Sequence, residues 1–403
     1  MGELSSTERD AVERASAEPM LEQVLAWAAV NSGSRNLAGL ERMADLLADA
    51  FAALPGVLRL DQPQPVENVG PDGKTTKIKH GRHLHLTVRP TAPLQLLFTG
   101  HMDTVYAADH AFQRTKWLED GVLNGPGVAD MKGGIAVILH ALLVFEAAPD
   151  ATRLGYDVMI NSDEETGSLS SAALIDQLAQ GKYAALTYEP SALPDGTLAH
   201  ARGGSGNYSL AVTGKSAHAG RNPQDGRNAL VAAADLAVRL KAMGHAALSV
   251  NPARIDGGSA NNVVPDMAVL RFNIRPKTTE AAETFARDLE ALVREIETAH
   301  EVAVHRHGGV TRPPKPVDAR AQRLFDLVRD CGAALGQPIA WQPSGGVCDG
   351  NNIAARGVPV VDTMGVRGGA IHSPDEFLIV PSLSERAALS ALVLARLASG
   401  DPL

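Results

Sequence analysis

The chain has 403 residues, of which 45% are hydrophobic and 21% are charged, and its formal net charge is -9. This length suits two domains that each bury a core, and the composition is that of a folded globular protein. The acidic balance offers no basic surface for nucleic acid or anionic lipid, so neither is expected as a partner. The cysteines, Cys331 and Cys348, are too few for a disulfide framework or a thiolate zinc cluster. Any bound metal would therefore be held by His, Asp and Glu.

Residues 1–16 read MGELSSTERDAVERAS and lack the apolar segment of a secretory signal. No uninterrupted apolar run reaches the roughly 18 residues that a membrane-spanning helix needs. We therefore expect a cytoplasmic protein that does not bind membranes.

Apolar strands alternate with helices from about residue 19 to residue 194. Strands are predicted at residues 94–100, 155–160 and 184–188, and helices at 132–148 and around 170–180. This alternation predicts an α/β domain with a mostly parallel central sheet.

The pattern changes between residues 201 and 312. Half-polar strands are predicted at residues 207–214 and 268–276, and amphipathic helices after residue 225 and at 279–299, which predicts a small α+β domain. The α/β pattern returns later and ends with a helix from Ser382. We therefore expect an α/β domain formed by residues 1–200 and 313–403, interrupted by an inserted lid at 201–312.

Three consecutive acids, Asp163, Glu164 and Glu165, lie in the stretch NSDEETGS directly after a predicted buried strand. On an exposed helix such a cluster would be a solvated face. Here the acids lie at a strand end, the edge of an α/β sheet where ligands bind. Their mutual repulsion must be offset by basic side chains or by metal ions.

Further metal-compatible side chains follow other predicted strands. They are His101 and Asp103 in GHMDTV, Asp130 in GPGVADMKGG, Glu189 in YEPS and His372 in GGAIHSPDEF. Taken singly, such residues are more often structural. Together, two histidines and several carboxylates at one sheet edge match the ligands that Zn²⁺ and its neighbours accept.

In these five motifs and their order, the sequence resembles the zinc-dependent aminoacylase and carboxypeptidase family of two-metal hydrolases. That family includes glutamate carboxypeptidase, acetylornithine deacetylase and succinyl-diaminopimelate desuccinylase. The resemblance extends from about residue 20 to residue 395 and points to the glutamate carboxypeptidase branch. It implies two bound zinc ions, with cobalt or manganese as alternatives, and a homodimer formed through the lid domain.

The resemblance also implies the roles of the metal ligands. His101 and Glu189 would bind one ion, Glu165 and His372 the other, and Asp130 would bridge the two. Physical chemistry agrees, because two divalent ions roughly 3.5–4 Å apart need a shared carboxylate to relieve their repulsion. Glutamate at position 189 is typical of the family's carboxypeptidases and deacylases, which weakens an aminopeptidase reading.

The neighbours of these ligands receive supporting roles by the same resemblance. Asp103 would accept the second N–H of the His101 imidazole and fix its tautomer. Glu164 would be the general base that takes a proton from the metal-activated water. Asp163 would help to hold the turn.

The lid carries a second set of residues, His218 in GKSAHAG, Asn262 in SANNVVP and Arg275 in NIRP. In the glutamate carboxypeptidase branch, the matching residues polarise the scissile carbonyl and bind the substrate carboxylate. Arginine suits this task because its planar guanidinium binds a carboxylate through two hydrogen bonds. The alternative for Arg275 is a structural ion pair with an acid of the lid. The resemblance further implies that His218 acts in the active site of the partner subunit.

Other histidines and a cysteine could be mistaken for ligands. His80, His83 and His85 alternate along a predicted strand, and we interpret them as a polar solvent face without accompanying carboxylates. The same interpretation applies to His300, His305 and His307. Cys348 is interpreted as a packing residue.

The leading hypothesis is a cytoplasmic, homodimeric two-zinc hydrolase that cleaves an amide bond next to a free carboxylate. Its substrate would be a peptide with C-terminal Glu or Asp, or an N-acyl amino acid. One alternative is an N-acetyl or N-acyl amino acid deacetylase that acts on a metabolic intermediate. Another is a metal-free descendant of the fold that only binds a ligand.

Overall fold

The computed structural model describes residues 4–400, which form two compact units. The helices are α1 (Ser6–Ser16), α2 (Met20–Ala28), α3 (Leu37–Phe51), α4 (Gly133–Glu146), α5 (Ala172–Ala179), α6 (Ala229–Ala242), α7 (Thr279–His300), α8 (Ala319–Ala334), α9 (Asp349–Ala354) and α10 (Pro381–Ser399). The strands are β1 (Val57–Asp61), β2 (Val66–Val69), β3 (Thr75–Ile78), β4 (His83–Val88), β5 (Leu94–His101), β6 (Lys116–Glu119), β7 (Val122–Asn124), β8 (Leu154–Asn161), β9 (Ala184–Thr187), β10 (Leu198–Arg202), β11 (Ser205–Thr213), β12 (Ala217–His218), β13 (Leu248–Gly257), β14 (Val263–Val264), β15 (Met267–Pro276), β16 (Ala303–Arg312), β17 (Trp341–Ser344), β18 (Val360–Val361), β19 (Gly368–Gly369) and β20 (Phe377–Ile379).

The first unit contains the described residues up to Gln64, Lys79–Ala201, and the described residues from Val317 onward. Its six-stranded sheet has the order β1-β4-β8-β5-β9-β18. The pairings among β8, β5, β9 and β18 are parallel, whereas β1 and β4 are antiparallel at one edge. The mostly parallel sheet predicted from the sequence is therefore confirmed.

Helix α4 is apolar around its whole circumference because it lies inside the first unit, where it packs against α10 and α2. Within residues 4–400, the segment Val128–Glu146 is long and apolar enough to cross a membrane by length and composition alone, but 94% of its apolar window is buried in the protein. Such burial is expected of a core helix in a globular domain. Strand β8 is likewise buried along its whole length, which explains why its sequence is mostly apolar.

The second unit is built on a four-stranded antiparallel sheet with the order β13-β15-β11-β16. Helices α6 and α7 cover one face, where Leu236, Phe285 and Leu289 pack against Leu210 and Leu270 of the sheet. This arrangement is the small α+β domain that the sequence predicts.

The hairpin formed by β2 and β3 also belongs to the second unit, which comprises Pro65–Ile78 and Arg202–Pro316. Val69 packs against Ala211 and Val269, and its carbonyl oxygen accepts a hydrogen bond of 2.7 Å from Arg271. Ala211 and Val269 alternate with residues that face the helices, so the hairpin covers the opposite face of the sheet. The sequence analysis assigned this segment to the α/β domain.

Candidate metal centre

The predicted metal ligands of the first unit emerge from one edge of its sheet. His101 is the last residue of β5, Glu164 and Glu165 lie in a short 3-10 turn after β8, and Glu189 follows β9. Because β5, β8 and β9 run parallel, their carboxyl ends lie side by side. The fold therefore gathers residues that are far apart in the sequence.

The two oxygen atoms of the Asp130 carboxylate face two different histidines. Oδ1 lies 3.1 Å from Nε2 of His101, and Oδ2 lies 3.2 Å from Nε2 of His372. This is the arrangement that a carboxylate needs in order to bridge two cations. The peptide bond between Asp130 and Met131 is cis.

Each histidine also faces a second carboxylate. Oε2 of Glu189 lies 3.7 Å from Nε2 of His101, and Oε2 of Glu165 lies 3.1 Å from Nε2 of His372. The residues around Asp130 thus fall into the two histidine–glutamate pairs that the sequence analysis assigned to separate ions.

The side-chain donors are close enough to share cations. One donor atom from each of His101, Asp130 and Glu165 lies within 4.8 Å of the others, and the same holds for His101, Glu164 and Glu189. Two imidazoles with several carboxylates form a donor set that zinc and its neighbours accept. The residues of this site therefore fit a pair of divalent ions.

The electrostatics of the site also favour bound cations. Burial alone would raise the pKa of Asp130, but hydrogen bonds from His101 and His372 outweigh it and hold that pKa well below its usual range. Burial and the negative charge of Asp130 raise the pKa of Glu165 to about 7. Hydrogen bonds to Asp130 and Glu165 raise the pKa of His372 to about 10. Glu165 and His372 thus hold protons that offset the negative charge of the site, and bound cations can take the place of those protons.

Contacts between Nδ1 of His101 and Asp103 fix the orientation of the His101 ring. Its Nδ1 lies 2.9 Å from the main-chain oxygen of Asp103 and 3.4 Å from a carboxylate oxygen of the same residue. The carbonyl, rather than the predicted carboxylate, is therefore the nearer partner. A proton on Nδ1 leaves the lone pair of Nε2 free for a metal.

The carboxylate of Asp103 instead holds the acidic turn. It accepts hydrogen bonds from the main-chain N–H groups of Glu164 and Glu165, at 3.1 and 3.3 Å, and from the hydroxyl of Ser34 at 2.7 Å. Glu164 and Glu165 are thereby positioned through their backbone.

Asp163 holds the other end of this turn. Its buried carboxylate accepts hydrogen bonds from the N–H of Ser170 at 2.6 Å and from the hydroxyl of Ser171 at 2.7 Å. The structural function expected for the first acid of the triplet is consistent with these contacts.

Glu376 is an important residue of the site that the sequence analysis missed. Its buried carboxylate accepts hydrogen bonds from the N–H groups of Gly127, Ala129 and Asp130 at 3.0 to 3.1 Å, and from the hydroxyl of Tyr106 at 2.9 Å. It therefore fixes the loop that carries Asp130. The sequence feature that could have indicated Glu376 is its position four residues after His372, in the same motif.

The predicted lid residues belong to the second unit, where His218 and Asn262 are neighbours. His218 pairs with Val263 through β12 and β14, and the N–H of Ala219 donates to the carbonyl of Asn262 at 2.9 Å. Nδ1 of His218 accepts hydrogen bonds from two main-chain N–H groups, so the neutral ring carries its proton on Nε2. The exposed ring can therefore offer an N–H donor to a ligand.

Arg275 lies at the end of β15 and is exposed. Its Nε donates a hydrogen bond of 3.0 Å to the side-chain oxygen of Asn273. Across residues 4–400, no acid forms an ion pair with Arg275, so the alternative of a structural pair with a lid acid is not observed.

The interpretation of the β4 histidines as a solvent face is wrong. His83 and His85 are only 1% and 3% exposed. His85 contacts Asp157 at 2.9 Å and Asp61 at 3.3 Å, and Asp157 also pairs with Lys182. These acids come from β8 and β1, the strands on either side of β4, so they are neighbours in space but not in sequence.

The interpretation of His300 as a solvent-facing residue without a carboxylate is also wrong, because Asp235 lies 3.0 Å from its ring. His305 and His307 lie on strand β16, and Cys348 is buried at the start of α9.

Comparison with known proteins agrees with this geometry. Residues 97–396 match the sequence model of peptidase family M20/M25/M40. The chain is 30% identical over 314 residues to carboxypeptidase G2 of Pseudomonas sp. strain RS-16, covering 76% of this chain and 74% of that protein. It is 31% identical over 321 residues to a succinyl-diaminopimelate desuccinylase of Xanthomonas campestris, covering 75% and 83%.

Solved structures show the same fold. A tripeptidase from Staphylococcus aureus aligns with a TM-score of 0.69 at 22% identity, covering 97% of this chain and 99% of that one. A dinuclear metal-binding M20 peptidase from Bacillus subtilis aligns with a TM-score of 0.65 at 13% identity, covering 95% and 98%. The chain therefore belongs to peptidase family M20/M25/M40, and it is a metal-dependent hydrolase of amide bonds.

Proposed function

We propose that this protein is a two-zinc hydrolase that cleaves an amide bond next to a free carboxylate. Its substrates would be peptides with C-terminal Glu or Asp, or N-acyl amino acids. The observation that carries the proposal is the Asp130 carboxylate, which lies between His101 and His372. The names of the relatives support it, since one is a carboxypeptidase and another a desuccinylase.

Five side chains would hold the ions. His101 and Glu189 would bind one, Glu165 and His372 the other, and Asp130 both. Bound zinc, or cobalt or manganese in its place, would lower the pKa of a water molecule and polarise the substrate carbonyl.

Glu164 is the proposed general base. It lies in the 3-10 turn after β8, and one of its carboxylate oxygens lies within 4.8 Å of ligand atoms of His101 and Glu189. It would take a proton from the attacking water and deliver it to the leaving nitrogen, and the second water proton would follow, so that amide and water become a carboxylate and an ammonium group. Asp103 supports this step by holding the N–H of Glu164.

The lid residues would bind and polarise the substrate. His218 would donate its Nε2–H to the oxygen of the scissile carbonyl, with Asn262 beside it. The exposed guanidinium of Arg275 would bind the substrate carboxylate.

We further propose that the protein works as a cytoplasmic homodimer joined through the second unit. Two exposed valines, Val231 and Val238, lie two turns apart on α6. Strand β13 forms one edge of the neighbouring sheet, and such an edge can pair with another chain. Contact between two copies would cover the valines and let His218 act in the partner's site.

Metal analysis combined with a substrate library tests the proposal. Purified protein should contain two equivalents of zinc, cobalt or manganese, and it should hydrolyse N-acyl amino acids and dipeptides with acidic C-terminal residues. A preference for neutral or basic C-terminal residues would contradict the glutamate assignment. Exclusive hydrolysis of N-acetyl substrates would support the deacetylase alternative. Absence of stoichiometric metal and of turnover would favour a ligand-binding descendant of the fold.

A further inference from the structure

A small cavity of about 150 Å³ lies in the first unit, and none of the proposed metal ligands lines it. Its walls come from the segment at Asp195 and Gly196, the loop after α8 around Gln337, and the start of α10. Arg367 and Arg386 contribute two guanidinium groups. Basic side chains therefore line a space large enough for a small molecule or several waters.

Arg386 lacks the partners that a buried charge needs. The residue is 2% exposed, and only Nη2 has an acceptor, the carbonyl oxygen of Gly196 at 2.9 Å. Nε and Nη1 are buried without an acceptor among residues 4–400. Burial lowers the pKa of Arg386 to about 10, so the group remains charged at neutral pH. Buried guanidinium groups are ordinarily paired with a carboxylate or phosphate.

Two acids, Asp195 and Glu385, also line the cavity, and both already have hydrogen-bond donors. Both oxygen atoms of Glu385 accept hydrogen bonds from Arg367, at 3.1 and 3.3 Å. Asp195 is exposed, and its carboxylate accepts a hydrogen bond of 2.8 Å from the N–H of Thr197. Arg386 thus has no ion-pair partner of its own in the described part of the chain.

We propose that this cavity binds a small oxyanion, with Arg386 and Arg367 as its cationic ligands. The ligand would be a carboxylate or inorganic phosphate, because planar guanidinium donors match the oxygen atoms of both. Arg386 lines the cavity, and its guanidinium has a single acceptor among residues 4–400. This site is separate from the proposed hydrolytic function and does not depend on it.

An anion at this position would tie together two segments of the metal centre. Gly196 follows Glu189 on one segment, and Arg367 precedes His372 on the other. Main-chain hydrogen bonds of 2.9 Å already join these segments, from Ser191 to Val366 and from Gly365 to Glu189. Occupancy should therefore stabilise the first unit against unfolding.

Thermal unfolding of metal-loaded protein tests the site. Inorganic phosphate and acetate are titrated separately at constant ionic strength, into wild type and Arg386→Met. The unfolding temperature of the wild type should rise saturably with at least one of these anions. The anion that acts at the lower concentration shows whether the site prefers phosphate or a carboxylate. Arg386→Met should lose that rise, whereas Arg329→Met, which removes an exposed arginine of α8, should retain it. Any phosphate bound at the metals affects all three proteins equally, so equal shifts in all three would overturn the proposal.

A second measurement needs only the wild type and covers the case in which Arg386→Met does not fold. Crystals grown with selenate should show an anomalous scattering peak beside Arg386. Water alone in the cavity, or a peak confined to the metal centre, would refute the site.

Discussion

The carboxylate of Glu376 accepts a hydrogen bond of 3.1 Å from the main-chain N–H of Asp130, whose side chain faces both histidines of the metal centre. Glu376→Gln should weaken metal binding by about 10- to 100-fold, because the amide nitrogen cannot accept hydrogen bonds and the loop loses its fixed position. Competition with a chromogenic chelator measures this affinity directly.

Asp375→Asn provides a matched control for that experiment, since it neutralises the preceding acid on an exposed side chain. It should bind metal like the wild type. Equal affinities in all three proteins would show that Glu376 does not position the bridging carboxylate.

The two glutamates of the acidic turn should have separable functions. Glu164→Ala should retain both metals while turnover falls by several orders of magnitude, because the general base is lost. Glu165→Ala should lose metal instead. Metal content and turnover, measured on the same preparations, distinguish the two functions. Loss of metal in Glu164→Ala and its retention in Glu165→Ala would reverse the two assignments.

Mixed dimers can reveal whether His218 acts in the partner's site. Glu164→Ala and His218→Ala should each be nearly inactive, since loss of an oxyanion donor alone costs about 10² to 10³ in turnover. After subunit exchange, about a quarter of the sites would combine an intact Glu164 with an intact His218 from the other chain. Activity should therefore reappear. A mixture that stays inactive after proven exchange would mean that His218 serves its own chain.

The proposed dimer should depend on the apolar face of α6. Val238 is 71% exposed, and Val238→Lys should give a monomer because a charge would have to be buried at the contact. Sedimentation velocity reports the oligomeric state. Val57→Lys, at a 62% exposed position in the first unit, should remain dimeric, and dimers in both variants would place the interface elsewhere.

Acid stability should depend on Asp157. Burial would raise the pKa of this carboxylate, but hydrogen bonds from His85, Lys182 and Thr87 lower it to about 2. Because the pKa in the folded state lies below that of the unfolded chain, the stabilisation is complete above about pH 4 and is lost as the pH falls through 2. It amounts to about 2 kcal/mol.

Asp157→Asn should therefore lower the urea midpoint at pH 7 and flatten its decline between pH 4 and 2. Asp176→Asn is the control, because its pair with Arg356 lies on the surface and contributes little. Parallel pH curves for wild type and Asp157→Asn would contradict the assigned pKa.

Much of the clustering in the candidate metal centre could be predicted, because its residues follow strands that are easy to recognise in the sequence. His101 ends an apolar run, and Glu165 follows another, so parallel pairing places them together. The order of the motifs then supplied Asp130 and His372 through the family resemblance. A single sequence is enough to predict such a cluster when each candidate ligand follows a recognisable strand.

Contacts between distant side chains could not be predicted in the same way. His85 meets Asp61 and Asp157 through the register of three adjacent strands, and local alternation gives no sign of those partners. Glu376 was missed for a related reason. Its partners are main-chain N–H groups at residues 127–130, which have no signature in the sequence.

The hairpin at residues 65–78 limits how the lid could be moved between proteins. A fragment of residues 202–316 would leave Ala211 and Val269 uncovered, because Val69 is encoded more than a hundred residues earlier. The second unit is thus not a single continuous insertion, because it is built from two separate segments of the chain. Recombination that transplants it must carry two separate stretches of coding sequence. Deletions near residue 70 should damage this unit, although its larger segment begins only at Arg202.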